Sequence, residues 1–253
     1  MAGFRELKPK IGDILRAPDF ASRLAELDAF PPRQAVGALF SFLLPREPLV
    51  KWRAVTAFGR VMDRLFARNP ESARQVMRQM LWRMNEESGS IGWGVPEAMG
   101  EIMAVNRRLA EEYARFLVSY IREYKGRGCG DNFLDHPPLR WGVYWGLGRL
   151  AQAWPELAAE AGPELLSVLD PDLAMEGREG TYEGLTCHDA QARGLAAWVL
   201  GLLAAPGAEA ALAARLDDQG VVTLFRGGVI EGTTVSALAT EALKRIAKAR
   251  TAG

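Results

Sequence analysis

Val50-Lys51-Trp52-Arg53-Ala54-Val55-Thr56-Ala57-Phe58-Gly59-Arg60-Val61-Met62 is the stretch on which the fold turns, because it comes back. It aligns without gaps to residues 91–103, 139–151 and 192–204, and more loosely to 235–247. The first position of each copy is Val50, Ile91, Leu139, Ala192 and Val235; the ninth is Phe58, Met99, Leu147, Leu200 and Leu243; the twelfth is Val61, Ile102, Leu150, Leu203 and Ile246. Positions one, five, eight, nine and twelve are apolar or small in every copy. At about 100° per residue they share one side of a helix, which the two-residue period of a strand cannot produce. Copy starts separated by 41, 48, 53 and 43 residues leave room for one helical hairpin per unit, with insertions in the longer intervals.

The partner helices of these hairpins are expected at 31–44, 70–86, 107–124 and 155–169. Each offers apolar residues at helical spacing, and Pro31, Pro70 and Pro155 stand where a helix tolerates proline, at its start. Residues 1–30 form an N-terminal cap of one or two helices, 31–219 the repeat hairpins, and 220–253 a different ending. There Val221-Val222-Thr223-Leu224-Phe225, Arg226-Gly227-Gly228 and Val229-Ile230 read as a short β-hairpin around a glycine turn, before Thr234 caps a last helix. A lone hairpin is marginal in water, so it is expected to pack on the final repeat. The fold class is therefore all-α, an α-α superhelix with a small β-hairpin near the C-terminus, in a single domain spanning 1–253.

A second side of the repeated helix carries positions three, seven and ten: Trp52, Thr56 and Gly59; Trp93, Glu97 and Gly100; Trp141, Trp145 and Gly148; Gly194, Trp198 and Gly201. Glycine costs about 1 kcal/mol relative to alanine inside a helix, so its return at one position predicts close approach by a neighbouring helix. These copies, with Val50-Lys51-Trp52-Arg53-Ala54 and Ala57-Phe58-Gly59-Arg60-Val61 recurring as variants, resemble the second helix of HEAT-like repeats of the phycobilin-lyase type, an armadillo-like architecture. The resemblance covers residues 31–249. It implies an interaction scaffold, the commonest role in that family, with bilin attachment and excision of alkylated DNA bases as minority activities.

Thirty-one basic and thirty-one acidic residues cancel, which argues against a dedicated nucleic-acid binder. The halves differ in sign: residues 1–128 hold 21 basic and 15 acidic residues, and residues 129–253 hold 10 and 16. No basic n-region leads an apolar run and no stretch reaches the length of a membrane span. Two cysteines in a chain of 253 residues fit a reducing compartment, so the expected location is cytoplasmic.

Chemistry has few footholds. No Gly-x-Ser-x-Gly elbow, Walker segment or complete dinucleotide fingerprint is present. Cys129 with His136, and Cys187 with His188, precede equivalent helices in adjacent units, so a Cys2His2 metal site is chemically open. Their spacing matches no zinc pattern, however, and helix-end roles for the histidines are the plainer reading. Glu86 and Glu87 before a notch at Pro96, with Glu97 and Glu101 after it, are either an acidic site for a cation or basic peptide, or solvated helix-end carboxylates. The expectation is a non-catalytic scaffold with no metal and no cofactor. It binds a partner protein across the ridge of second helices through Trp52, Arg53, Arg60, Trp93, Glu97, Glu101, Arg140, Trp141, Trp145 and Arg149. A DNA alkylation-repair type of nucleic-acid binder would instead use Lys51, Arg53, Arg60, Arg64 and Arg140 on phosphates. A bilin-lyase-like enzyme is the third alternative.

Overall fold

The computed structural model describes residues 4–44, 46–86, 91–122, 132–170 and 188–252. They are mostly helical, with a two-stranded antiparallel sheet near the C-terminus. By internal packing the chain divides into two compact units, residues 1–113 and 114–253.

The first unit begins with α1 (Phe4–Arg16), which stops before Pro18 because the residue ahead of a proline is pushed out of helical conformation. A short α2 (Phe20–Arg23) and a 3-10 turn (Leu24–Ala29) follow. The repeat then starts with α3 (Pro32–Phe40), α4 (Pro48–Arg68), α5 (Pro70–Met84) and α6 (Val95–Val105). Helix α3 ends four residues short of the expected boundary: the Ser41 hydroxyl donates to the Ala38 carbonyl at 2.7 Å and the chain turns away. Asn69 caps α5 by accepting from the Ser72 amide at 3.0 Å. Phe58, Met62, Met77, Met80 and Met99 are completely enclosed between these helices.

Helix α6 starts late, with Pro96 in its first turn. Gly94 enters it with φ of 69°, and a Cβ there would stand 2.9 Å from the Leu43 carbonyl, so both conformation and space require glycine. Once begun, α6 is buried on every side, residues 95–104 without exception. It lies along α4, where a Cβ on Gly59 would come 3.0 Å from the Val105 side chain and 3.1 Å from that of Glu101.

Helix α7 (Arg107–Ser119) opens in the first unit and closes in the second. The second unit continues with α8 (Pro137–Ala153), α9 (Pro155–Ala158), α10 (Gly162–Leu169), α11 (Ala190–Leu202), α12 (Glu209–Ala213), β1 (Val221–Arg226), β2 (Val229–Thr234) and α13 (Val235–Ala252). The single helix expected at 155–169 is two helices joined by a 3-10 turn, Ala159–Ala161. Pro163 is the reason: with no N–H and a ring that clashes one turn back, it must open a new helix rather than continue an old one.

Helix α11 packs against both α8 and α13, each contact seated on a glycine. A Cβ on Gly148 would be 2.0 Å from the Trp198 ring, and one on Gly201 2.5 Å from the Ala242 Cα. The neighbour predicted for the recurring glycine is thus the second helix of the next copy, at Gly59, Gly148 and Gly201 alike. The hairpin closes through Gly227 and Gly228, with φ of 60° and 85°, the left-handed pair that a two-residue turn between twisted strands demands. Its Val222 fills the space over Gly194 on α11, and the Thr234 hydroxyl accepts from the Ala237 amide to cap α13. Among the described residues no helix is long and apolar enough to cross a membrane.

Candidate interaction site

The first unit contains a connected group of aromatic and charged side chains around the start of α6. Lys51 on α4 forms an ion pair with Glu97 on α6, both largely removed from water, and the Lys51 ammonium stands 4.4 Å from the centre of the Trp52 ring. Glu97 is 4% exposed, so it is not a solvated helix-end carboxylate. Its charge is balanced by Lys51, and its position in the first turn of α6 adds the favourable field of a helix N-terminus. The second carboxylate oxygen, Oε2, is buried without a hydrogen-bond partner among the described residues. Glu101, one turn further on, is also buried.

Trp93 lies just before α6 and is half-buried. Beside it, a Cβ on Gly92 would be 2.9 Å from the Arg83 carbonyl, so the approach to α6 is laid against the end of α5. Trp82 precedes Arg83 in the last turn of α5. It is 67% exposed, the most exposed large apolar side chain among the described residues of this unit. Trp82 was not anticipated as a site residue, yet its position is legible. The buried side of α5 is Ala73, Val76, Met77, Met80 and Met84, and at 100° per residue Trp82 falls opposite Met80.

The other residues expected on the ridge hold the chain together. The Arg53 guanidinium donates to the Leu15 and Ala17 carbonyls at 2.8 Å each, satisfying the orphan end of α1, and lies over the Phe20 ring. Arg60 forms a forked pair with Asp28 at 2.9 and 2.5 Å, while Arg64 donates to the Leu27 and Asp28 carbonyls. The hydrogen bond from Arg60 holds the Asp28 carboxyl below the usual aspartate range, with Arg64 adding to it. Arg74 grips Glu112 in the same way and lowers its pKa.

In the second unit Arg140 is 6% exposed and its guanidinium donates to the Leu134 and Asp135 carbonyls, closing the approach to α8. The Trp141 indole donates to the Asp189 carboxylate, whose other oxygen accepts from the Gln191 and Ala192 amides at the start of α11. Trp145 is 3% exposed and donates to the Phe225 carbonyl at 2.7 Å, tying α8 to β1. Arg149 is half-buried and reaches Gln152 along its own helix.

Of the proposed metal set, Cys129 and Cys187 lie outside the described residues, as does Glu87. His136 is half-buried, and its carbonyl accepts from the Leu139 and Arg140 amides at the start of α8; His188 is exposed. Among the described residues no three His, Cys, Asp or Glu side chains gather closely enough to hold a metal ion. No family model matches the chain, and no curated protein matches it.

Proposed function

We propose that the chain is a non-catalytic scaffold of HEAT-like hairpins, helix pairs coiled into a solenoid, which holds a partner protein in the cytosol. The observation that carries this reading is Trp82, a large ring turned into solvent in the unit that also holds the half-buried Trp93 and Trp52. Tryptophan exposes apolar surface at a cost and, with arginine and tyrosine, supplies most binding hot spots. Glu97, Glu101, Arg140 and Trp145 enter this reading as supports behind the surface rather than as contacts, since each is buried within the chain. Trp141, Arg53, Arg60 and Arg149 keep exposed area beyond their internal bonds.

The nucleic-acid alternative gains nothing from these positions. Arg53, Arg60, Arg64 and Arg140, which would meet phosphates, are each engaged with carbonyls or with Asp28.

Affinity capture from the source cell, run in parallel with wild type, Trp82→Ala and Trp93→Ala, tests the proposal. A protein retained by wild type and lost from Trp82→Ala at unchanged melting temperature is the expected result. Identical retention by all three chains, or retention of duplex DNA with a steep salt dependence, would overturn it.

A further inference from the structure

The two edges of the hairpin are treated differently by the rest of the second unit. In β1 the Thr223 amide donates to the Gln191 side-chain oxygen at 2.8 Å, and its carbonyl accepts from the Gln191 side-chain nitrogen at 2.7 Å. Two residues on, the Phe225 carbonyl accepts from Trp145. Gln191 and Trp145 therefore imitate a third strand and close that edge. The same bonds fix the alternation of the ladder: the backbone groups of Thr223 and Phe225 point away from β2, so those of their partners Gly232 and Ile230 point away from β1.

Among the described residues nothing bonds to that edge. The backbone groups of Ile230 and Gly232 make no hydrogen bond among the described residues, and a Cβ on Gly232 would meet nothing within 4 Å. Both residues are exposed, as are Val229 and Val221; the strand has neither lysine nor proline to guard its edge, and the charge of Glu231 is engaged by Arg226 within the hairpin.

We propose that the edge of β2 pairs antiparallel with β2 of a second copy of this chain, making a four-stranded sheet across a two-fold axis. The register follows from two constraints. Outward-facing residues must meet outward-facing residues, which leaves two registers of equal, longest overlap. One centres on Glu231 and sets Glu231 directly against its own copy, a like-charge pair that the ion pair of each Glu231 with Arg226 of its own hairpin offsets only in part. The other centres on Gly232: Gly232 opposes Gly232, Ile230 opposes Thr234, and Glu231 opposes the neutral Thr233. Charge selects the second. It also extends an exposed row, because Val221 is the cross-strand partner of Thr234, so Ile230 of one copy, then Thr234 and Val221 of the other, line up on one face. Isologous pairing of this kind is closed, so it ends at the dimer. An interface of one strand per copy is small, and the association is accordingly weak and concentration-dependent.

Sedimentation equilibrium of the full chain over a wide concentration range is the first measurement. A mass rising from 27.7 kDa towards twice that value is expected, with Ile230→Lys returning the chain to monomer at unchanged melting temperature. The register is read by cross-linking in a chain with Cys129→Ser and Cys187→Ser. Hydrogen-bonded antiparallel pairs have Cα atoms about 5.5 Å apart, within the range of a disulfide. Gly232→Cys should form a covalent dimer on mild oxidation and Glu231→Cys should not. A chain that stays monomeric at every concentration, a dimer that survives Ile230→Lys, or cross-linking through Glu231→Cys would overturn the proposal.

Discussion

Trp198 occupies the room that Gly148 leaves by having no side chain. A Cβ at 148 would lie 2.0 Å from one ring atom of Trp198 and 2.5 Å from the next, closer than any real carbon pair. The ring is held there by shape, since its indole N–H has no hydrogen-bond partner among the described residues. Helices α8 and α11 approach to the distance this fit permits, and the register of the second unit depends on it.

Gly148→Ala is therefore expected to destabilise despite alanine's better helix propensity, which is worth about 1 kcal/mol. Overpacking of a rigid ring costs about 1–3 kcal/mol, so the sum should be a loss of up to about 2 kcal/mol. Gly162→Ala is the control: φ is −50° and nothing lies within 4 Å of its Cβ position, so a gain of about 0.4–1 kcal/mol is expected from the unfolded state alone. Urea unfolding of both variants checks the contrast, and equal effects at the two sites would refute the socket.

Lys51→Met should cost about 3 kcal/mol, because it leaves the Glu97 carboxylate buried without its counter-charge. Adding Glu97→Gln to the same chain should restore much of that loss, since the amide removes the charge that needed a partner. A double-mutant cycle by chemical denaturation reads the coupling. Additive losses would mean that the two side chains do not act as a pair.

Trp145→Ala and Trp82→Ala should separate core from surface. Removing Trp145 opens the space between α8 and β1 and is expected to cost about 3–5 kcal/mol. Trp82→Ala should stay within about 0.5 kcal/mol of wild type, as surface substitutions do. Thermal melts of both variants give the answer directly.

Acid should loosen the N-terminal helices. The Asp28 carboxyl titrates below its unfolded range, chiefly through the Arg60 hydrogen bond, and the unfolded state therefore binds the proton first as pH falls. The contribution is complete above the unfolded aspartate pKa of about 3.9 and disappears as pH drops through the lower folded value. Asp28 is 41% exposed, so solvent screens the pair and the effect is modest. Asp28→Asn should flatten the fall in urea midpoint between neutral pH and about pH 3 relative to wild type; an unaltered slope would remove Asp28 from the acid response.

Position in the repeat was readable from residues 50–62 because apolar spacing depends only on the geometry of one helix, and the helix pairs, the hairpin turn at Gly227 and Gly228, and the Thr234 cap all follow from local rules. Pro163 is equally local, and its break of α9 from α10 overrides the continuous apolar spacing of 155–169. The ridge residues are another matter. Nothing in the spacing of Arg53, Arg60, Arg140, Trp141 and Trp145 says that their polar atoms will be taken by carbonyls and carboxylates 5 to 80 residues away in the chain.

By itself the sequence determined that this chain is helical, which stretches carry its repeated helix, and which positions face inward, since a periodic apolar side must be buried whatever covers it. Tertiary structure alone decided which of the large side chains stayed exposed. A donor such as Arg53 or Trp145 spends its hydrogen bonds on whatever acceptor the fold brings near, and only the packed chain shows that Trp82 was left in water while Glu97 was enclosed with Lys51.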